Sequence, residues 1–113
     1  MKDTDTMTNE ELDRWWAERM GRAYKAPVLM EGLNGPFTMH KVAFFPSTSG
    51  DDWLVVYKWM RGRGWDSSHN QRLEFEPCSW WRWAKGYKTF TTDDPYLRVA
   101  MLKAALRAER KGE

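Results

Sequence analysis

Hydrophobic residues near the start of the chain recur at the spacing of a helix. Thr8 opens the sequence Thr-Asn-Glu-Glu, a capping box in which the Thr8 hydroxyl accepts from the amide of Glu11 and the Glu11 carboxylate accepts from the amide of Thr8. The apolar side chains that follow share one stripe, comprising Leu12, Trp15, Trp16 and Met20. The pattern predicts a helix that ends near Gly21 and docks on a sheet through its two tryptophans, although a helix exposing one of them is also allowed.

The next two hydrophobic runs, at residues 27–30 and 37–45, predict a β-hairpin. Between them lies Gly-Leu-Asn-Gly-Pro, a loose loop of turn-forming residues. The second run is the better strand, and in an extended chain its residues alternate between two faces. Neither face is cleanly polar: one carries Thr38, His40, Val42 and Phe44, and the other carries Phe37, Met39, Lys41 and Ala43.

Residues 53–60, Trp-Leu-Val-Val-Tyr-Lys-Trp-Met, have the β-branched and aromatic composition of a buried strand. Their flanks favour a helix instead. Turn formers, candidate caps and the acids Asp51 and Asp52 precede the run, and acidic side chains suit the positive end of a helix dipole. Arg61 and Gly62 follow it and suit the opposite end. We therefore predict a helix.

The hydrophobic period becomes two after residue 70. Leu73 and Phe75 alternate with charged residues, which predicts a strand with one wet face at residues 71–76. Two further runs, at residues 80–85 and 87–91, predict strands that continue this one as a meander.

The last predicted element is a helix. Asp94 is its candidate N-cap, Pro95 suits the first helical position, and the helical pattern runs from residue 96 to about residue 110. Its apolar residues include Leu97, Met101, Ala104, Ala105 and Ala108, and the opposite side carries Lys103, Arg107 and Arg110.

The Trp80-Trp81-Arg82-Trp83 run lies within the predicted meander. In a strand, Trp81 and Trp83 share one face while Trp80 and Arg82 share the other. If helices cover both faces, all three rings belong to the core. If one face is open, Trp80 and Arg82 form an aromatic and cationic patch of the kind enriched at protein interfaces and in single-stranded nucleic-acid grooves.

Composition sharpens this picture. The chain has 113 residues, 42% of them hydrophobic, which suits one folded domain of ordinary size. Its eight Trp, four Tyr and five Phe are more rings than a core this small is expected to need. The net charge is only +2, but residues 1–20 hold six acidic and three basic residues, whereas residues 61–88 hold six basic and three acidic residues and four of the tryptophans.

Export and membrane insertion are not expected. Cys78 is the only cysteine, so no disulfide can form within the chain. The first residues lack the apolar stretch of a secretory signal, and no run approaches the roughly 20 apolar residues of a membrane helix. We expect a cytoplasmic protein with a flexible leader at residues 1–7 and a single domain at residues 8–113.

Three stretches of the chain, at residues 7–12, 46–60 and 95–106, resemble small phage proteins of the ABA-sandwich type. The likeness lies in the Met-Thr-Asn-Glu-Glu-Leu start, the Pro-Ser-Thr turn leading into the Trp-Leu-Val-Val helix, and the closing Pro-initiated helix, about a third of the chain. It implies an α+β fold with a mainly antiparallel sheet of about four strands and helices packed on both faces, an α/β/α sandwich. It implies no enzymatic activity and transfers no binding residue. Small phage proteins of this size often act on host machinery, including CRISPR defence complexes.

No arrangement in the sequence is typical of catalysis or of a metal site. A nucleophile with its base, or carboxylates paired in a cleft, would have recognisable spacing. His40, His69 and Cys78 lack the spacing of a zinc site. The two Asp-Asp pairs each precede a predicted helix, where capping explains them. We expect neither an enzyme nor a bound metal or cofactor.

The Arg61-Gly62-Arg63-Gly64-Trp65 segment has two interpretations. Two guanidiniums in an exposed turn, with glycines that let backbone amides approach, could grip phosphate. The simpler interpretation is the end of a helix, where glycine stops the helix and arginine suits the dipole. The segment lacks the order of residues of a nucleotide-binding loop.

The sequence therefore predicts a binding protein. The leading hypothesis is a phage-type accessory protein that modulates a host protein or ribonucleoprotein complex, and the alternative is direct binding of nucleic acid or nucleotide by the basic, Trp-rich segment. The acidic first helix is a second candidate surface, and unplaced aromatic residues could also pair two copies as a homodimer. The candidate contact residues are Arg61, Arg63, Trp65, Trp80, Arg82 and Lys85.

Overall fold

The computed structural model describes residues 4–70 and 79–111 as an α+β fold with two antiparallel sheets. After a short 3-10 turn (Thr4–Thr6), the elements are α1 (Asn9–Arg19), β1 (Lys25–Gly32), β2 (Gly35–Val42), α2 (Gly50–Gly62), β3 (Asp66–Asn70), β4 (Ser79–Lys85), β5 (Lys88–Asp94) and α3 (Leu97–Lys111). The strands β3, β4 and β5 form one sheet in that order, and β1 and β2 form the other. The predicted α+β class and antiparallel pairing are confirmed.

The single sheet of about four strands is not confirmed, because the described strands divide into a sheet of two and a sheet of three. The strand predicted at residues 71–76 lies outside the described residues. The helices α2 and α3 lie on one face of the three-stranded sheet, through contacts with Trp81 and Trp83. Helix cover on both faces is likewise not confirmed.

The first helix begins at the predicted capping box. The Thr8 hydroxyl accepts from the Glu11 amide at 3.2 Å, and the Glu11 carboxylate accepts from the Thr8 amide at 3.1 Å. Its Trp16 is buried and donates its indole Nε1 hydrogen to the carbonyl of Leu102 at 3.3 Å, while Trp15 is partly exposed. The predicted docking on a sheet is corrected: α3 covers the sheet, so α1 packs on α3.

Helix α2 confirms the interpretation based on its flanks over that based on composition. Ser49 is the N-cap, and its hydroxyl accepts from the Asp52 amide at 3.4 Å. The helix buries Val56 and Met60, and it sets Tyr57 against the rings of the central strand. Its β-branched and aromatic residues serve packing, which overrides their intrinsic preference for strands.

The three-stranded sheet has one covered face. The rings of Trp81 and Trp83 are both buried on it, and the indole Nε1 of Trp83 donates to the Met101 carbonyl of α3 at 3.3 Å. Trp53 of α2 packs edge-on against Trp81 with 5.8 Å between ring centroids. The core of the molecule therefore lies between this sheet face and the helices.

The last helix begins later than predicted, at Leu97. Asp94 still accepts from the Tyr96 amide, at 3.0 Å, so it satisfies a backbone donor ahead of the helix as expected of a cap. Lys103 was predicted on the polar side but is buried, and its ammonium lies 3.1 Å from the Asp94 carboxylate. Ten of the fifteen residues of α3 are buried, which makes it the central helix of the core.

We call the helices and the three-stranded sheet together the body of the molecule. The hairpin of β1 and β2 projects from this body. Its register pairs Lys25 with Val42 and Gly32 with Gly35, so each strand has eight residues and the turn between them has only two, tighter than the predicted loop. Gly35 has a φ of +109°, which its lack of a Cβ permits. Within the described ranges neither strand packs broadly against another element, and most residues of both strands are exposed.

Candidate binding surfaces

Four of the six predicted contact residues lie near the end of α2, and one of them is part of the core. Trp65 is buried, and its ring packs against Phe90 with 5.8 Å between centroids. Arg61 donates to the Trp65 carbonyl at 3.2 Å and to the Asp66 carboxylate at 2.7 Å, and the Lys85 ammonium lies 5.9 Å from the centre of the Trp65 ring. These contacts agree with the simpler interpretation of residues 61–65, as the end of a helix.

Arg63 belongs to a buried ionic cluster. Its Nε lies 2.8 Å from the Oε1 of Glu109, whose side chain is only 1% exposed. Arg19 donates to the other oxygen at 2.6 Å, and the Trp59 indole donates to Oε1 at 3.3 Å. Because a buried carboxylate is costly unless it is paired and hydrogen-bonded, the two guanidiniums have a structural role that needs no external ligand.

Trp80 and Arg82 lie on the other face of the three-stranded sheet. The Arg82 guanidinium carbon is 5.5 Å from the centre of the Trp80 ring, and its Nε donates to the Thr91 hydroxyl at 3.0 Å. Arg82 is exposed and Trp80 is partly buried, and the cross-strand neighbours on this face are mostly exposed, comprising Asp66, Ser68, Thr89, Thr91 and Asp93. Of the two interpretations of the Trp run, the described residues match the one with an open face.

The six residues therefore do not form one patch. Trp80 and Arg82 share the open face, whereas Trp65 and Lys85 belong to the covered side and Arg61 and Arg63 are held by carboxylates. The acidic residues of the first helix are also partly neutralised, since Glu10 lies 3.0 Å from Arg14 one turn later.

The hairpin is an exposed apolar surface that lies outside the six predicted contact residues. The register places Val28, Met30, Phe37 and Met39 on one face, and we call these four residues the apolar face. Val28 is 37% exposed, Phe37 45% and Met39 42%, while Leu29 on the opposite face is 72% exposed. The sequence shows only that neither face of the second strand is cleanly polar. Among the described residues, no other element packs broadly on the hairpin.

A contact at the base of the hairpin connects α1 to the loop before α2. The buried carboxylate of Asp13 accepts from the Ser47 amide at 2.8 Å and from the Ser47 hydroxyl at 2.7 Å. Burial raises the pKa of Asp13, and the two hydrogen bonds from Ser47 oppose that rise. The contact therefore holds α1 against the loop through which the chain passes from β2 to α2.

A surface pocket with a volume of about 580 Å³ lies at the start of α3. Arg98 lines this pocket and donates to the Thr48 carbonyl at 2.8 Å. Its other polar lining groups in the described chain are amides and hydroxyls, from Asn9, Ser47, Thr48, Ser79 and Tyr96. Hydrogen bonding to a ligand is the chemistry these groups can offer.

The described histidines have different surroundings. His69 stacks on Trp81 with 4.7 Å between ring centroids and 9° between ring planes, and His40 lies on the hairpin. Within residues 4–70 and 79–111, no three His, Cys, Asp or Glu side chains are grouped as metal ligands. Cys78 lies outside these ranges.

No helix in the described part of the chain combines the length and apolar character needed to cross a bilayer. Comparisons of the sequence with protein-family models and curated proteins, and of the structure with solved structures, give no match.

Proposed function

We propose that this chain is a non-enzymatic, cytoplasmic binding protein that modulates a host protein or ribonucleoprotein complex, as a phage-type accessory protein would. A CRISPR defence complex is one candidate target. The observation that carries the proposal is the projecting hairpin with its exposed apolar face. No other element within residues 4–70 and 79–111 packs broadly on this face. Contiguous exposed apolar side chains of this kind mark interaction sites.

The energies favour a partner that covers this face. Complete burial of a Val, Phe or Met side chain contributes about 1.5–3 kcal/mol, so covering the exposed part of each would contribute roughly 1 kcal/mol. A single two-stranded hairpin is marginal in water, so a partner would also stabilise the ribbon itself. Because eight-residue strands extend roughly 27 Å, the hairpin turn could contact a partner at that distance from the base of the hairpin.

A comparison of matched variants tests the proposal. The double variant Phe37→Ser, Met39→Ser removes the apolar face, and Leu54→Ser removes a similarly exposed side chain (41%) from α2. Affinity purification from host cells should recover a stoichiometric complex with the wild-type chain and with Leu54→Ser, and lose it with the double variant. Recovery of the same partner by all three chains, or by none, would contradict the proposal.

Nucleic-acid binding is the second candidate function, and the pairing of Arg82 with Trp80 favours it. A guanidinium over an indole on an open sheet face is the kind of platform on which single-stranded bases stack. The carboxylate partners of Arg61 and Arg63 leave this pair with less cationic support than the sequence suggested. Binding to single-stranded probes at low salt that falls steeply with added salt, and is lost in Arg82→Ala, would support it.

The α/β/α sandwich is a related proposal about the fold. It requires a fourth strand beside the three of the main sheet and a helix over the outer face of that sheet. Such a helix would hide Trp80 and Arg82. Quenching of Trp fluorescence by iodide in the wild type and in Trp80→Phe would show whether this indole is accessible.

A further inference from the structure

We infer that the free edge of β2 pairs with β2 of a second copy of this chain, which would join two hairpins into one four-stranded antiparallel sheet. The inference goes beyond the proposed function, because it concerns the backbone edge of the same projecting hairpin, whereas host binding is assigned to its apolar face. Three features support it: the direction of the backbone groups, the position of the prolines, and the distribution of charge along the ribbon.

Hydrogen bonding at the hairpin base fixes which backbone groups point outward. The Ala43 amide donates to the Tyr24 carbonyl at 2.8 Å, which marks this pair as a hydrogen-bonded one. Hydrogen-bonded and non-hydrogen-bonded pairs alternate along an antiparallel ladder. The non-hydrogen-bonded pairs are therefore Lys25 with Val42, Pro27 with His40, Leu29 with Thr38, and Glu31 with Pro36. Their N–H and C=O groups point away from the partner strand.

The two edges differ because of the prolines. Pro27 lies in the middle of the β1 edge and has no N–H, so that edge lacks a donor at its centre. The β2 edge presents outward donors and acceptors at three successive positions, Thr38, His40 and Val42, and its proline lies beside the turn. Only the β2 edge offers an uninterrupted ladder.

A second copy fits that edge. Antiparallel pairing is self-complementary about a two-fold axis, so the same donors and acceptors serve both copies. The hairpin is basic at its base, with Lys25 and Lys41, and acidic beside its turn, with Glu31. An antiparallel copy places the acidic turn of each hairpin at the same end of the joined sheet as the basic base of the other, and it aligns the two apolar faces on one side of that sheet.

The area of the contact sets its strength. An edge of eight residues covers less surface than the roughly 800 Å² per partner of a standard stable interface. The pair should therefore be reversible, and dimer should accumulate as concentration rises through about the micromolar range and above. Because β1 is blocked by Pro27, association should stop at two copies.

Sedimentation equilibrium of the full chain from about 5 to 500 µM tests the inference, a range chosen to span weak interfaces. His40→Pro removes an outward N–H of β2 without removing a hydrogen bond of the hairpin, and Leu29→Pro does the same on β1. We expect the wild type and Leu29→Pro to dimerise with rising concentration and His40→Pro to remain monomeric. A wild-type monomer throughout, or equal dimerisation of the two proline variants, would overturn the inference.

Cross-linking identifies the strand at the two-fold axis. In a Cys78→Ser background, Met39→Cys places a thiol on β2, and Val28→Cys places one on the same face of β1, directly opposite Met39. Oxidation should link two copies of Met39→Cys but not of Val28→Cys, whose thiols would lie at least three strand spacings apart, roughly 14 Å. Preferential linkage through Val28→Cys would overturn the inference.

The results also separate the inference from the proposed function. If the chain stays monomeric while the Phe37→Ser, Met39→Ser variant loses its host partner, the second copy is excluded and host binding stands. If β2 pairs two copies while that variant keeps its host partner, the hairpin is a dimerisation element and the proposed function of its apolar face fails.

Discussion

The Nε of Arg63 lies 2.8 Å from the Oε1 of Glu109, and this contact connects the end of α2 to the far end of α3. Glu109 also receives Arg19 from α1, so one buried carboxylate joins three helices. Each guanidinium remains partly exposed, and the carboxylate alone has lost its water. The cluster is therefore sensitive to any change that alters the charge of Glu109.

Replacing this carboxylate should weaken the fold. Glu109→Gln would leave Arg19 and Arg63 beside a neutral amide, and we expect the free energy of unfolding to fall by about 1–3 kcal/mol, discounted for the partial exposure of both arginines. Urea denaturation measures the change. The control Glu10→Gln breaks the exposed pair with Arg14 and should cost no more than about 0.5 kcal/mol. Equal losses of unfolding free energy in the two variants would show that the buried cluster stabilises the fold no more than the exposed pair does.

Asp13 should make stability depend on pH. Its folded-state pKa is raised by burial, so the folded chain holds this proton more tightly than the unfolded chain does. The contribution of Asp13 to stability is therefore greatest below the ordinary aspartate range near pH 4, and it is lost as pH rises through the folded pKa.

Asp13→Asn should remove that loss while keeping an oxygen to accept from the Ser47 amide. The free energy of unfolding of the variant, relative to wild type, should rise as pH increases from about 3 to 7. Urea denaturation of both chains across this range measures the difference. Parallel pH profiles for the two chains would contradict the assignment.

The two faces of β4 should respond differently to the same substitution. Trp83→Phe leaves a gap in the core and removes the hydrogen bond to Met101, so we expect a loss of about 2 kcal/mol in the free energy of unfolding. Trp80→Phe changes a ring on the open face and should cost less than about 1 kcal/mol. Thermal or urea unfolding of the two variants gives the comparison. A larger loss of unfolding free energy for Trp80→Phe would mean that the core lies on the Trp80 face of the sheet.

Hairpin substitutions should leave the body stable. Phe44, just after β2, is buried, and Phe44→Ala should cost about 3 kcal/mol or more. Phe37→Ala, within the hairpin, should change the free energy of unfolding of the body by less than about 1 kcal/mol. Denaturation monitored by Trp fluorescence reports the body, because none of the tryptophans lies in β1 or β2. A large loss for Phe37→Ala would mean that the hairpin packs on the body.

Local signals predicted the elements and left their arrangement open. The capping box at Thr8, the cap at Ser49 and the alternation in β4 act over four residues or fewer, so the sequence alone carries them. The burial of Lys103 depends on Asp94, which the strand before the helix brings to it, and the role of Arg63 depends on Glu109, 46 positions later. Such partners are set by tertiary packing, which no local pattern encodes.

The candidate site likewise has a part that local sequence patterns predict and a part that depends on tertiary packing. Alternation correctly separated Trp81 and Trp83 from Trp80 and Arg82, because the side-chain period of a strand is fixed. The exposure of Phe37 and Met39 could not be deduced, since an apolar strand is usually covered and the sequence does not say that this hairpin lacks cover.

Two indoles from different elements donate to consecutive carbonyls of α3, Trp83 of β4 to that of Met101 and Trp16 of α1 to that of Leu102. The buried tryptophans of β4, Trp81 and Trp83, precede α3 in the chain, so during synthesis on the ribosome they emerge before the helix that packs on their face of the sheet. Until α3 is synthesised, the nascent polypeptide should expose an aggregation-prone, indole-rich surface and depend on chaperones that shield such surfaces.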